Sequence, residues 1–225
     1  GRHCEDHEID EIVLTRPGEW RVLAEFESLE DRLDIPVRVV EDGRFASTPG
    51  EFADWAAARK NLRMEFFYRE MRRRTGLLMD DDEPAGGQWN FDAENRKKWK
   101  GEPASAAPMH FSPDETTREV LELVDGHFDG FGTLEGFDYA VTRAQARRAL
   151  AHFVDSALPW FGDFQDALPD DEVYLFHSRL SAYLNIGLLE PLEVCRAVER
   201  AWREGRVPIN AAEGYRLRGK GALVP

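Results

Sequence analysis

Two short apolar runs, Ile12-Val13-Leu14 and Val37-Arg38-Val39-Val40, stand on either side of a stretch whose apolar residues recur at helical spacing. That order constrains the fold more than any other feature of the chain. Each run stops at turn-forming residues, Thr15-Arg16-Pro17-Gly18 and Glu41-Asp42-Gly43, as buried parallel strands do. Between them, Glu19 to Leu33 predicts one helix with Val22, Leu23, Phe26 and Leu29 or Leu33 on a single face. Thr48-Pro49-Gly50-Glu51 reads as a further helix start, with Thr48 as N-cap, Pro49 in the first helical position and Glu51 closing a capping box. Strand, helix, strand, helix predicts a βαβ unit and a parallel sheet. Two strands are too few for such a sheet, so further strands are expected outside this segment. A start at polar Gly1-Arg2-His3-Cys4-Glu5, with no Met, is expected to mean a missing beginning.

Beyond this unit the period changes to 3.6. Met64, Phe67, Tyr68 and Met71 share one face of a helix over Leu62 to Thr75 that Gly76 ends. Periodicity then lapses, and Gly, Pro and charge collect. Ser112-Pro113-Asp114-Glu115 reads as a capping box opening a helix that buries Val120, Leu121, Val124 and Phe128. Thr142 with Gln145 opens another, with Leu150, Phe153, Val154, Ala157 and Leu158 as its stripe. Pro191 starts a fourth, facing inward through Val194, Cys195, Val198, Ala201 and Trp202, with Gly205 at its end. The expected fold is therefore α/β followed by all-α. A partial Rossmann-like domain spans residues 1–79, an interdomain linker 80–111, and a helical domain 112–214. An atypical tail with no helical stripe occupies 215–225.

Composition sets limits on function. With 14 Phe and 6 Trp in 225 residues, the chain has the aromatic content of a packed core, not of a disordered segment. Its net charge of −14 supplies no global attraction to nucleic acid or anionic lipid, which leaves only a local basic patch for phosphate. Cys4 and Cys195 form neither a C-x-x-C pair nor a disulfide framework, a pattern that favours a reducing, cytoplasmic setting. No apolar run approaches the roughly 20 residues needed to cross a bilayer, and no signal peptide is visible.

Several segments invite a chemical reading. Arg69, Arg72 and Arg73 share a helix face and can either grip phosphates or form a solvated side. Asp80-Asp81-Asp82-Glu83 lacks the ligand alternation and turn glycine of a calcium loop. Asp92, Glu94 and Asn95 are as weak a pattern. His3, His7, His110, His127 and His152 show no paired metal spacing, and Cys195 reads as a small core residue. Phe176-His177-Ser178-Arg179-Leu180-Ser181-Ala182-Tyr183-Leu184 stands apart. Its hydroxyls at Ser178 and Ser181 flank the cation Arg179, a combination suited to an anionic diphosphate at a helix start. Ser178 as a plain N-cap explains the same residues.

This segment resembles the flavin-binding signature of the photolyase/cryptochrome flavoproteins, a Thr-Ser-x-Leu-Ser-Pro-Tyr-Leu pattern that Ser178, Leu180, Ser181, Tyr183 and Leu184 match. His177 replaces the usual Thr, and Ala182 the usual Pro. Phe161-Gly162-Asp163-Phe164-Gln165-Asp166-Ala167 resembles the segment that packs on the cofactor, with Phe164 where a Tyr is frequent. The strings Glu65-Phe66-Phe67-Tyr68-Arg69-Glu70-Met71-Arg72 and Gly86-Gly87-Gln88-Trp89-Asn90-Phe91-Asp92-Ala93-Glu94-Asn95-Arg96-Lys97 are similar to the prokaryotic photolyase-related branch, the iron–sulfur (6-4) photolyases. The likeness runs from Glu11 to about Gly214.

The resemblance implies FAD bound by Phe164, His177, Ser178, Arg179, Leu180 and Ser181, with reduced flavin donating an electron under light to a flipped-out pyrimidine photoproduct in UV-damaged DNA. It implies a lumazine-type antenna chromophore in the α/β domain and a monomeric protein. A signalling photoreceptor without repair, or an inactive truncated fragment, are the alternatives. The family's 4Fe-4S cluster needs four cysteines and this chain has two, so its ligands are expected elsewhere. The departure from the family pattern after Gly214 is expected to mark a truncated or frame-shifted end.

Overall fold

In the computed structural model, residues 2–7 and 9–218 are described. Helix α1 (Arg2–Asp6) precedes β1 (Ile12–Thr15), which pairs in parallel with β2 (Val37–Val40), Ile12 opposite Val37 and Thr15 opposite Val40. Between the strands lie α2 (Trp20–Glu27) and α3 (Leu29–Leu33), where the sequence predicts one helix. Ser28 divides them. Its hydroxyl donates to the Glu25 carbonyl at 2.8 Å, a local bond that competes with helix continuation. The strands also differ from the expected buried pair. Val13 is 49% exposed and burial along β1 alternates, because among the described residues helix α2 packs on β2 while β1 shows one face to solvent.

The predicted capping box is present at α4 (Pro49–Ala57): Glu51 N–H donates to Thr48 Oγ1 and Thr48 N–H to the Glu51 carboxylate. Helix α5 (Met64–Thr75) buries Phe67, Tyr68 and Met71 against Trp55, while Phe52 stacks on Trp55 and meets Phe67 edge-on. Leu192 from the later helical part packs on the same cluster. The arginine face of α5 is neither a phosphate grip nor a solvated side at Arg72. That guanidinium is fully buried and donates to the Trp89 carbonyl at 3.0 Å and to the Leu78 carbonyl, tying the helix to the segment after it.

Residues 80–111 carry more structure than a linker reading implies. Strands β3 (Met79–Asp80) and β4 (Glu83–Pro84) form a small antiparallel hairpin, and 3-10 turns follow at Ala85–Gly87 and Asp92–Glu94. Ala85, Phe91 and Phe111 are buried, and helical-part side chains satisfy the polar groups buried with them. Glu199 accepts from Leu78 N–H at 2.7 Å, and Glu213 accepts from Phe91 N–H at 3.1 Å and Tyr68 Oη at 3.2 Å.

The larger core lies among α7 (Arg143–Ser156), α8 (Leu158–Phe164), α10 (Pro191–Arg203) and α11 (Ile209–Arg218), and it includes the predicted stripe from Leu150 to Leu158. The short α9 (Ser181–Asn185) sits at its edge. Helix α6 (Glu115–His127) departs from expectation. It buries no residue, Phe128 just beyond it is 68% exposed, and its N-cap is Asp114, which accepts Thr117 N–H at 2.8 Å, not Ser112. Its 3.6 spacing is real, but Leu121 and Val124 are only half-buried and Val120 is exposed.

Helices α8 and α11 approach closely because Gly162 has no side chain. A Cβ there would lie 2.7 Å from Ala211 Cα and N. At Gly214 a Cβ would lie 2.7 Å from Asn95 Nδ2, so α11 also beds against the junction. Helix α11 runs through Tyr215 to Arg218, where the sequence shows no stripe; the remainder of the expected tail, residues 219–225, lies outside the described residues. The chain is thus mostly helical with a few short strands. Among the described residues no helix is long and apolar enough to cross a membrane.

Candidate functional site

Leu175 and Arg179, both at positive φ (48° and 55°), bracket the Phe176–Ser178 turn. Left-handed backbone costs a non-glycine residue about 1–2 kcal/mol, so surrounding contacts must hold it. His177 N–H donates to the Tyr174 carbonyl and Ala106 N–H to the Leu175 carbonyl, each at 2.9 Å. Phe176 is buried and stacks on Phe164 of α8 with centroids 5.5 Å apart. Leu180 is fully buried, and Ala140 N–H donates to the Tyr183 hydroxyl at 3.1 Å.

This anchoring turns part of the segment toward a cleft. His177, Ser178 and Arg179 line one wall, His152 and Ser156 of α7 another, and residues 106–109 a third. His152 Nε2 donates to the Ala107 carbonyl at 2.9 Å, fixing the third wall. His177 is exposed and meets Phe161 edge-on at 5.9 Å. Ser178 Oγ accepts Leu180 N–H at 3.3 Å and lies 2.9 Å from the Tyr215 hydroxyl. Tyr215 itself is half-buried and packs on Phe153 and Phe161, with centroids 4.6 and 5.3 Å away, and desolvation of its hydroxyl pushes the phenol upward.

Arg179 is not the free cation its sequence context suggests. Its guanidinium is bound by both oxygens of Asp138 and lies over the Tyr139 ring at 4.1 Å and the Tyr174 ring at 5.3 Å. The Arg179 hydrogen bonds, and secondarily His110, hold the Asp138 carboxyl below the usual carboxylate range. A phosphate reaching Arg179 meets a charge already matched.

Of the six residues assigned to the cofactor, then, three reach the cleft. Phe164 and Leu180 are scaffold beneath the turn, and Ser181 is exposed at the start of α9 without lining the cleft. Helix α9 has only five residues, so the helix-start contribution read from the sequence is small. Asp138 and Tyr215 escape the sequence reading, and His152 enters it only as a candidate metal ligand. Asp138 stands in a loop with no periodic pattern, Tyr215 falls in the segment read as a tail, and His152 carries no motif. A diphosphate fits this donor set in part: Ser178 and His177 are polar and accessible at one wall, while Arg179 is committed to Asp138.

Among the described residues the other candidate segments are engaged elsewhere. Asp80 pairs with Arg203 at 3.2 Å, Asp92 pairs with Arg96 at 3.0 Å, and Cys195 is buried in α10. Among the described residues no group of three or more His, Cys, Asp or Glu side chains is placed to hold a metal ion.

A family model described as deoxyribodipyrimidine photo-lyase-related protein matches residues 1–139. The chain is 50% identical over 217 residues to a (6-4) photolyase of Agrobacterium fabrum, an alignment covering 95% of this chain and 42% of that relative. The chain therefore spans less than half the length of the relative it matches. With over half its length matched by the family model, the chain belongs to the deoxyribodipyrimidine photo-lyase-related protein family.

Proposed function

We propose that this chain carries the diphosphate-binding wall of an FAD site in a light-dependent DNA-repair flavoprotein of the (6-4) photolyase type. The observation that supports this most is the Phe176–Arg179 turn, whose anchored backbone presents Ser178 and His177 at one wall of a cleft. The 50% identity to a (6-4) photolyase supports the same assignment from outside the site. Bound FAD, in its reduced form, supplies a photoexcited electron for splitting a pyrimidine photoproduct in UV-damaged DNA. The chain's own part is positional. Ser178 offers a hydroxyl to a phosphate oxygen and His177 a ring nitrogen, while the buried Phe164–Phe176 stack and Leu180 keep the turn in place. The Asp138–Arg179 pair holds the left-handed residue that aims Ser178.

The rival reading, an inactive partial chain, is supported by the 42% span of the relative. Blue-light illumination of the FAD-supplemented chain with an oligonucleotide bearing one (6-4) photoproduct separates the two. Loss of the photoproduct in the light, and not in the dark, is the expected result; flavin binding with no repair favours the rival.

A further inference from the structure

Ser178 and Tyr215 share one hydrogen bond, and its direction determines what Ser178 can offer to a ligand. A serine hydroxyl has one hydrogen to donate and two lone pairs to accept with. Leu180 N–H takes one lone pair, at 3.3 Å. Tyr215 Oη lies 2.9 Å from Ser178 Oγ, and among the described residues that is the tyrosine's one hydrogen-bond partner. Tyr215 packs on Phe153 and Phe161 and its hydroxyl is desolvated, so a proton left without an acceptor would be costly there. A phenol is also a stronger acid than an aliphatic alcohol. Both considerations make Tyr215 the donor and fill the second lone pair of Ser178. The serine hydrogen is left to point away from both neighbours, on the side where Ser178 lines the cleft.

We propose that Tyr215 is a positioning residue that makes Ser178 an obligate hydrogen-bond donor toward the cleft, which selects an anionic oxygen of a diphosphate there and disfavours a donor group. The inference rests on the diphosphate-wall reading above and adds a residue and a polarity to it. The position of Tyr215 follows from the glycine contact at Gly162, which lets α11 approach α8 and brings the phenol to the base of the turn.

The test is a set of equilibrium titrations of the full chain with FAD, ADP and riboflavin. The variants are Tyr215→Phe, Ser178→Ala and the double substitution, with urea unfolding confirming that each is folded. Losing one oriented hydrogen bond weakens FAD and ADP by about three- to tenfold in Tyr215→Phe. Riboflavin, which lacks phosphate, is unaffected. In the Ser178→Ala background, Tyr215→Phe adds nothing, because the phenol acts through the serine; a merely structural tyrosine would add its own loss. Should Tyr215→Phe fail to fold, Ser178→Ala must still show the loss for ADP and not for riboflavin. Equal weakening of riboflavin, no weakening at all, or a loss that persists without Ser178 overturns the proposal and leaves flavin binding standing. A Tyr215-dependent ADP signal without FAD binding supports the proposal and removes the flavin reading. Binding of neither ligand by the unmodified chain removes both.

Discussion

Arg179 donates to both carboxylate oxygens of Asp138, at 2.7 and 3.3 Å, while its own backbone sits at φ 55°. A strained residue and a two-point ion pair thus coincide at the end of the candidate flavin turn.

Replacing Asp138 with Ala leaves the Arg179 charge partly buried without its carboxylate. Neither side chain of the pair is fully enclosed, so the loss falls below that of a fully buried ion pair: about 1–3 kcal/mol, in the range for hydrogen bonds to charged groups. Urea unfolding at neutral pH checks it. A change within the scatter of an exposed surface pair would show that the turn is held by other contacts.

Gly162→Ala places a Cβ 2.7 Å from the Ala211 backbone, which cannot yield as a side chain end would. Overpacking of this kind costs about 1–3 kcal/mol, more than the helix propensity gained. Gly126→Ala in α6, with nothing within 4 Å of the new methyl, instead gains about 0.5–1 kcal/mol. Thermal melts of the two variants should move in opposite directions.

Glu213 is 1% exposed and accepts from Tyr68 of α5 and from the Phe91 backbone, so it joins three parts of the chain. Glu213→Ala strips the buried Phe91 N–H of its acceptor, at about 1–3 kcal/mol for a group left unsatisfied. Amide hydrogen exchange should quicken first at Phe91, whose N–H loses its partner.

The α4 capping box gives the chain a signed pH response. Chiefly through the hydrogen bond with Arg74, and then through Thr48 N–H, Glu51 is held at about 2 against an ordinary 4.5. A carboxyl lowered by folding stabilises the fold fully above its unfolded value. That contribution disappears as pH falls from about 4.5 toward 2. In Glu51→Gln, the urea midpoint therefore drops less between pH 6 and pH 3 than in the unmodified chain. An unchanged drop would show that Glu51 titrates normally in the folded state.

The elements the sequence predicted well are those whose signals are local. Thr48 with Glu51 and Thr142 with Gln145 each name both partners of a capping box within four residues, and both boxes form. Leu150 to Leu158 and Val194 to Ala201 repeat at helical period and are buried. Periodicity says which face is apolar and nothing about what covers it, and so α6 shows the predicted spacing with no fully buried residue. Ser28 divides the predicted helix, and its hydroxyl bonds the Glu25 carbonyl, a local partner that periodicity does not reveal. Arg72 reads as solvated because sequence does not show that its guanidinium meets the Leu78 and Trp89 carbonyls. At the site, the turn itself was legible through its family likeness. Its supports were not: Asp138 lies 41 residues before Arg179 and Tyr215 lies 37 after Ser178.

The most direct test of the account is a fluorescence titration of the purified chain with FAD, paired with the same titration of Ser178→Ala. The account predicts saturable binding of one flavin per chain, weakened about three- to tenfold when the Ser178 hydroxyl is removed. An absence of saturable binding, or equal affinity in the two proteins, would contradict it.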